Sequence, residues 1–523
     1  MAGTMRPHPR PTRNSPCRSG RTTLPGFNRL LVAAGLFLLL VFLAACSQPR
    51  DEVIRFGMSA APTSLDPRFA TDAASARINR LLYRALVDFD DQFRPVPSLA
   101  RWERLDPRHY RFHLGGEGRE FHDGSWLTAA DVAATYASIL DPATGSPHRG
   151  GLALIEHLEV VDVDTLDFHL ARPDPLFPGY LVIGILPAHA IAAGYPLQER
   201  PLGSGPFQLH AWPETGRLRL TRREDGQALE FLQVRDPTVR VLKLLRGEVD
   251  LIQNDLPAEL VRYLAERPDL QVRQRPGSNF AYLGFNLRDP ATGDPRVRLA
   301  IAHAIDRQAI IHHVLGGGAR PATALLPPDH WAGHSGLAQI EHDPQRARAL
   351  LAAAGFGPDN PLRLTYKTSA DPLRLRIATV FQQQLAEAGI EVRLQSYDWG
   401  TFYADIRAGH FQLYSLSWVG IKTPDIFRYA FHSTALPPRG ANRGYLDDAR
   451  VDALIESAEA ALDLEEQAAA YRALQARLLE VLPYVPLWYE DHVFAAQADL
   501  EGYRMAADGN YDGVQWVRRN RVQ

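Results

Sequence analysis

Helical and strand periodicities alternate along almost the whole chain, and this alternation constrains the fold more than any single motif does. "SARINRLLYRALVDFD" sets Ile78, Leu81, Leu82, Ala85 and Leu86 near helical spacing, whereas "VDVDTLDFHL" alternates with period two and reads as a strand or hairpin. In "WLTAADVAATYASIL", Thr128 stands three residues before Asp131, the spacing of a capping box. "PRVRLAIAHAIDRQAIIHHVLGGGARPA" carries Val297, Ala300, Ile301, Ala304 and Ile305 on one helical face; Asp306 can cap a second helix, and the glycines 316–318 end it. "QRARALLAAAGF" predicts a helix, and "RIATVFQQQLAEAGIEVRLQSYDW" a helix, turn and strand. A helical pair then runs from Ala449 into the proline-flanked strand of "LPYVPLWY". Helices and strands interleaved in this way imply an α/β fold, and the lack of a short repeat argues against a solenoid.

A chain of 523 residues is too long for one hydrophobic core, so two or three domains are expected. With 46% apolar and 22% charged residues it has the composition of a globular protein rather than a disordered one. The net charge of −3 argues against nucleic acid as partner, because phosphate binding needs a basic surplus.

The N-terminus reads as a leader, with Met1 or Met5 as its start. Residues 1–29 hold six arginines and no acid, and an apolar run follows from Leu30 to Cys46. That run is short for a membrane-spanning helix. Its end, "LAAC" (Leu43, Ala44, Ala45, Cys46), resembles a bacterial lipobox, which implies a signal peptide over 1–45 and lipidation of Cys46. Ser47, in place of an aspartate, resembles lipoproteins not held at the inner membrane. Cys17 would leave with the leader, so the folded body would contain no thiol and depend on a large core rather than disulfides. Removing six arginines and no acid takes the net charge from −3 to −9.

Two apolar stretches marked by proline, glycine and aromatic residues, "RPGSNFAYLGFNL" (275–287) and "PYVPLWYEDHVF" (483–494), bracket a block of about 200 residues. That block could form one lobe, with the rest of the chain forming the other. Two lobes joined by two crossing strands would enclose a cleft. "SWVGIKTPD" (417–425) leaves the strand-like "HFQLYSL" through a glycine and a proline, as a segment that touches a ligand often does.

In order along the chain, "SLDP", "YRFHL", "FHDGSWLTAADVAATYASILDP", "PLGSGPFQL", "LLRGEVDLI", "NFAYLGFNL", "DPRVRLAIAHAIDRQAII", "EAGIEVRLQSYDWGTFYADIRAGHFQLYSLSW" and "LPYVPLWY" resemble the extracytoplasmic solute-binding proteins of ABC importers, family 5, typified by dipeptide- and oligopeptide-binding proteins. The resemblance spans the mature chain. It implies a two-lobed periplasmic-binding-protein fold of the large cluster-C type, with an extra subdomain in lobe I and a hinge of two crossing strands. Lobe I would comprise 46–79, 198–276 and 488–523, its subdomain 80–197, and lobe II 277–487. It also implies a monomeric, lipid-anchored receptor in the periplasm or at the cell surface. This receptor would capture a peptide or peptide-like solute and deliver it to a membrane permease driven by a separate ATPase, without covalent chemistry and without a cofactor. An oligosaccharide, an opine, a metal chelate or haem on the same fold is the alternative ligand; an exported hydrolase is the alternative class.

No HExxH, Walker A, GxSxG or metal-spaced Cys/His pattern is present, and the 18 histidines are scattered. His312 and His313 suit a helix C-terminus, and "FHDG" (121–124) suits a turn. The resemblance places the backbone of Ala70, Thr71, Asp72 and Ala73, and that of Ser417, Trp418 and Val419, against ligand. In peptide-binding members, an aspartate three residues after the strand's tryptophan pairs with the peptide α-ammonium. Here Ile421 holds that place, beside Lys422, in a loop one residue shorter. Three readings follow. Lys422 points to water; or Asp425 or Asp72 supplies the missing anion; or Lys422 faces an acidic ligand. Phe280, Tyr282, Trp399 and Trp418 are aromatic candidates for the cleft walls, and each reads equally well as core.

Overall fold

Two strands of unusual length organise the molecule. The computed structural model describes residues 53–520, so the expected leader and the lipidation site Cys46 lie outside the described residues. Leu270–Phe285 and Tyr484–Gln497 pair antiparallel over most of their length. At 16 residues, the first spans roughly 50 Å, far more than the strand of one small domain needs. Leu270–Arg275 lie opposite Gln497–His492, and Asn279–Gly284 lie opposite Glu490–Tyr484. Between Arg275 and Asn279 the register shifts. Gly277 occupies this irregularity, where a Cβ would fall 2.2 Å from the carbonyl oxygen of Glu490; only glycine allows the two backbones to approach so closely.

On one side of the irregularity the sheet continues through Leu251–Gln253, Ile54–Met58, Ala228–Gln233, Arg217–Arg222 and Phe207–Glu214. On the other it continues through Leu413–Trp418, Leu362–Ser369 and Ile390–Tyr397. Each half has its own core. Ile54, Phe56, Leu81, Phe231 and Tyr511 pack in the first; Ile301, Tyr366, Phe381 and Trp488 pack in the second, beside a cluster around Tyr282, Phe427, Tyr471 and Tyr484. The fold is therefore two α/β lobes joined by two crossing strands. The first lobe bears an extra subdomain, a four-stranded antiparallel sheet (Ala100–Asp106, His109–Leu114, Thr165–Leu170, Ile155–Val160) covered by the helix Ala129–Leu140. Phe112, Tyr136, Phe168 and Phe177 fill its core.

The local signals behave as their chemistry dictates. The Thr128 N–H donates to Asp131 Oδ2 at 2.7 Å, and Asp306 Oδ1 accepts from the Ala309 N–H at 2.9 Å, starting a second helix. Val297, Ala300, Ile301, Ala304 and Ile305 are all buried. The helix expected through "SARINRLLYRALVDFD" stops at Leu82. The Leu82 carbonyl accepts the Gly205 N–H instead, and Val87–Phe89 pairs as a strand with Pro95–Pro97. Among the described residues no helix is long and apolar enough to cross a membrane.

Candidate ligand-binding cleft

A cavity of about 1630 Å³ lies between the lobes. One wall is the loop that leads into the helix Ala73–Leu82; the facing wall is the segment after the strand Leu413–Trp418. Ala70, Thr71, Asp72 and Ala73 line the first, and Val419, Lys422 and Asp425 line the second. Phe280, Tyr282, Ser417, Trp418 and Trp399 are not on the cavity wall. Phe280 and Tyr282 are buried in the second lobe's core, and Trp399 is exposed, stacked on Tyr403 at 5.5 Å between ring centroids. Ser417 and Trp418 pair with Ala281 and Phe280 inside the sheet. Tyr282 and Trp418 surround the buried guanidinium of Arg443, which donates to the Tyr282 hydroxyl at 3.3 Å and lies 5.1 Å from the Trp418 ring. These aromatic groups hold an internal cation.

Asp72 lines the cavity, but its oxygens are already engaged. It caps its helix by accepting from the Ser75 N–H at 2.8 Å, and it accepts from the hydroxyls of Ser75 and Thr63 at 2.5 Å. Burial pushes its carboxyl up, and these hydrogen bonds bring it net below the usual range.

Lys422 lines the cavity, but its charge is already matched by an internal partner. Its Nζ lies 2.5 Å from Asp508 Oδ2, on the C-terminal segment that packs into the first lobe. Burial raises the Asp508 carboxyl, but the charges of Lys422 and Arg80 outweigh it and hold the group down at about 2. Arg80 in turn bonds Asp512 at 3.0 Å and Asp88 at 2.7 Å. Around Lys422 and Arg80, three carboxylates share two internal cations.

The Lys422 backbone is also fixed. His330 Nδ1 accepts from the Ala332 N–H at 3.0 Å, so Nε2 carries the proton and donates to the Lys422 carbonyl at 2.9 Å. Burial lowers this imidazole to about 4, keeping it neutral. Its ring stacks on Phe93 at 5.6 Å, where the Trp331 N–H also donates to the Gln92 carbonyl at 3.0 Å; subdomain and second lobe touch here.

The cavity is also lined by Asp174 from the subdomain and Asp425 from the second lobe. Asp425 Oδ1 accepts from Thr423 Oγ1 at 2.5 Å, and Asp174 Oδ2 accepts from the Tyr180 hydroxyl at 3.1 Å. Burial pushes both carboxyls up. Asp425 is exposed to solvent, which screens its charge, whereas Asp174 is buried. Sequence reasoning did not find Asp174, Asp508 or Arg80. Arg80 and Asp508 are more than 400 positions apart and carry no shared motif.

Two other features have structural explanations. "FHDG" is a turn: Asp123 Oδ1 accepts from the Ser125 N–H at 2.9 Å, and Gly124 has φ +84°. On the subdomain sheet, ligand atoms of His109, Asp167 and His169 lie within 4.8 Å of one another. Antiparallel register brings them together across some sixty residues, which linear spacing hides. Arg111 already bonds both Asp167 oxygens at 2.8 Å, so the carboxylate is committed to a guanidinium.

Residues 94–435 match bacterial extracellular solute-binding proteins, family 5 middle region. The chain belongs to this family. It is 29% identical over 510 residues to di/tripeptide-binding protein 2 of Pseudomonas aeruginosa, covering 90% of this chain and 96% of that protein. It is 25% identical to the ABC transporter-associated periplasmic binding protein DppA of Helicobacter pylori in complex with the peptide STSA, with a TM-score of 0.73 and coverage of 90% and 98%. It is also 25% identical to the binding protein AgaA of A. tumefaciens R10 in complex with agropinic acid, with a TM-score of 0.71 and coverage of 90% and 99%. As a family 5 solute-binding protein it is an extracytoplasmic binding protein, and its relatives are binding proteins rather than enzymes.

Proposed function

We propose that this protein captures a peptide or peptide-like solute between its lobes and delivers it to the permease of an ABC importer. The observation that carries this reading is the cavity of about 1630 Å³ walled by both lobes, large enough to enclose several residues of an extended chain with water. Its walls combine exposed apolar surface at Val419 with ionic groups of both signs, as an amphipathic zwitterion requires. The similarity to a di/tripeptide-binding protein over nine-tenths of the chain favours peptides. The likeness to a protein solved with agropinic acid supports a second reading, a non-peptide zwitterion in the same cleft.

In this reading the loop residues Ala70–Ala73 and Val419 contact ligand, and Asp425 rather than Asp72 offers a carboxylate. Lobe I comprises 46–79, 198–276 and 488–523, its subdomain 80–197, and lobe II 277–487; the irregularity around Gly277 supports this division. Closure about the crossing strands desolvates the ligand, which must favour the closed form to shift the population. A lipid on Cys46 tethers a monomeric body outside the inner membrane. Native mass spectrometry of protein purified from its own cells tests the reading. A recurring series of co-purified peptides is expected. An opine- or sugar-like mass instead, with no thermal shift from peptide pools, overturns it.

A further inference from the structure

The outer face of the subdomain sheet carries a row of imidazoles. Period-two alternation turns Tyr110 and Phe112 into the core and His109, Arg111 and His113 to the other face. Register then sets His169 directly opposite His109, and His157 directly opposite His169. The three rings stack across three neighbouring strands, His109 on His169 at 4.2 Å and His169 on His157 at 5.5 Å between centroids, with planes within 30° of parallel. None of the three lines the cavity between the lobes.

The Arg111 pair accounts for Asp167 but not for the histidines. His109 Nε2 lies 3.0 Å from Asp167 Oδ2, and His169 Nε2 lies 3.8 Å from Glu159 Oε2. A carboxylate beside one ring nitrogen is the outer shell that metal-ligating histidines carry: it orients the ring and makes the other nitrogen a better ligand. The charge of Arg111 on this face is balanced by Asp167, to which it bonds twice. A tetrahedral ion holding imidazole nitrogens at about 2.0–2.1 Å sets them about 3.4 Å apart. His109 and His169 already offer ligand atoms within 4.8 Å of each other, and the exposed His157 ring can turn about its side-chain torsions to join them. Imidazoles without a cage of oxygens select zinc, copper or nickel over calcium and magnesium.

We propose that His109, His157 and His169 form a binding site for a divalent transition-metal ion, zinc or copper, on the outer face of the subdomain. The ion joins three adjacent strands, so it stabilises the subdomain by an amount that grows with the free ion concentration. Asp167 and Glu159 position the rings without ligating the ion. The site is separate from the cleft and does not depend on what the cleft captures.

Isothermal titration of the untagged full-length protein in detergent, stripped with a chelator and titrated with zinc at about pH 7.5, tests this. Binding of about one ion per chain is expected, with a rise in melting temperature on adding zinc. Binding should be lost in His109→Gln and His169→Gln and fall about 10–100-fold in Glu159→Gln. His312→Gln, on a helix of the second lobe, should keep it. Metal-free melting temperatures equal to the native value report an intact fold; if either variant melts low, His157→Gln, whose ring is exposed, must show the same loss. With copper in place of zinc, the electron paramagnetic resonance spectrum should show imidazole nitrogen splitting that His169→Gln simplifies. Zinc bound equally by the native protein and the histidine variants overturns the site. No zinc binding, or a copper spectrum without nitrogen splitting, overturns it as well.

Discussion

Lys422 Nζ and Asp508 Oδ2 meet at 2.5 Å, joining the loop after the second lobe's strand to the C-terminal segment of the first. A positive charge therefore stands beside the place where peptide-binding relatives are expected to hold a carboxylate, and its partner is internal. The pair ties the second lobe to the first beside the cavity.

Lys422→Met and Asp508→Asn should each destabilise the protein by about 2 kcal/mol, because each leaves a largely buried charge without its partner. A double-mutant cycle in urea should return a coupling of about 1–2 kcal/mol, and additive effects would show that the pair does not interact. The Asp508 carboxyl is held at about 2, below its unfolded value. Its contribution is therefore fully present above the unfolded value of about 4 and is lost as pH falls through about 2.

His330 predicts acid sensitivity in a milder range. Its imidazole is lowered to about 4 in the fold against about 6.5 when unfolded, so the unfolded chain binds the extra proton first. The stability it protects is complete above about 6.5 and falls by up to about 3 kcal/mol as pH drops towards 4. His330→Gln keeps an amide donor and acceptor but does not titrate. Melting curves from pH 7 to 4.5 should fall more steeply for the native protein than for the variant; parallel curves would count against this role.

Asp425 predicts the opposite sign. The surrounding cavity walls raise its carboxyl above the unfolded value, and because Asp425 is exposed to solvent, which screens the effect, the ionised form costs only a little stability at neutral pH. Asp425→Asn should raise the melting temperature of the ligand-free protein at pH 7, and the gain should disappear below the unfolded value near pH 4, where the native carboxyl is protonated in both states. A melting temperature unchanged or lowered at pH 7 would mean that the carboxylate is satisfied in the fold.

Gly277→Ala should disturb the crossing strands. The added Cβ would meet the Glu490 carbonyl at 2.2 Å, a backbone contact that no side-chain movement relieves. A loss of about 1–3 kcal/mol is expected, with amide exchange quickening first around Arg275–Asn279. Alanine tolerated with no change in exchange would show that the strands can separate there freely.

The elements and their order were legible because each depends on neighbours a few positions away. Thr128 with Asp131, Asp306 with Ala309, and the apolar face from Val297 to Ile305 are local relationships, and the structure contains all of them. The crossing strands were visible as two long apolar stretches, although no local rule reveals their 12 paired positions. Where the helix through Leu82 ended early, the competing partner was Gly205, more than 120 residues away.

The sequence by itself determined the α/β alternation, the family motifs and the loss of the expected carboxylate at Ile421. Only the tertiary structure decided what each charge does: that Lys422 is matched by Asp508, that Asp72 is used up as a helix cap, and that Asp174 and Asp425, about 250 positions apart, line one cavity. The physical reason is range. Periodicity and capping act within a turn of helix or along one strand, whereas an ion pair depends only on distance through space, and the fold sets that distance between residues hundreds of positions apart.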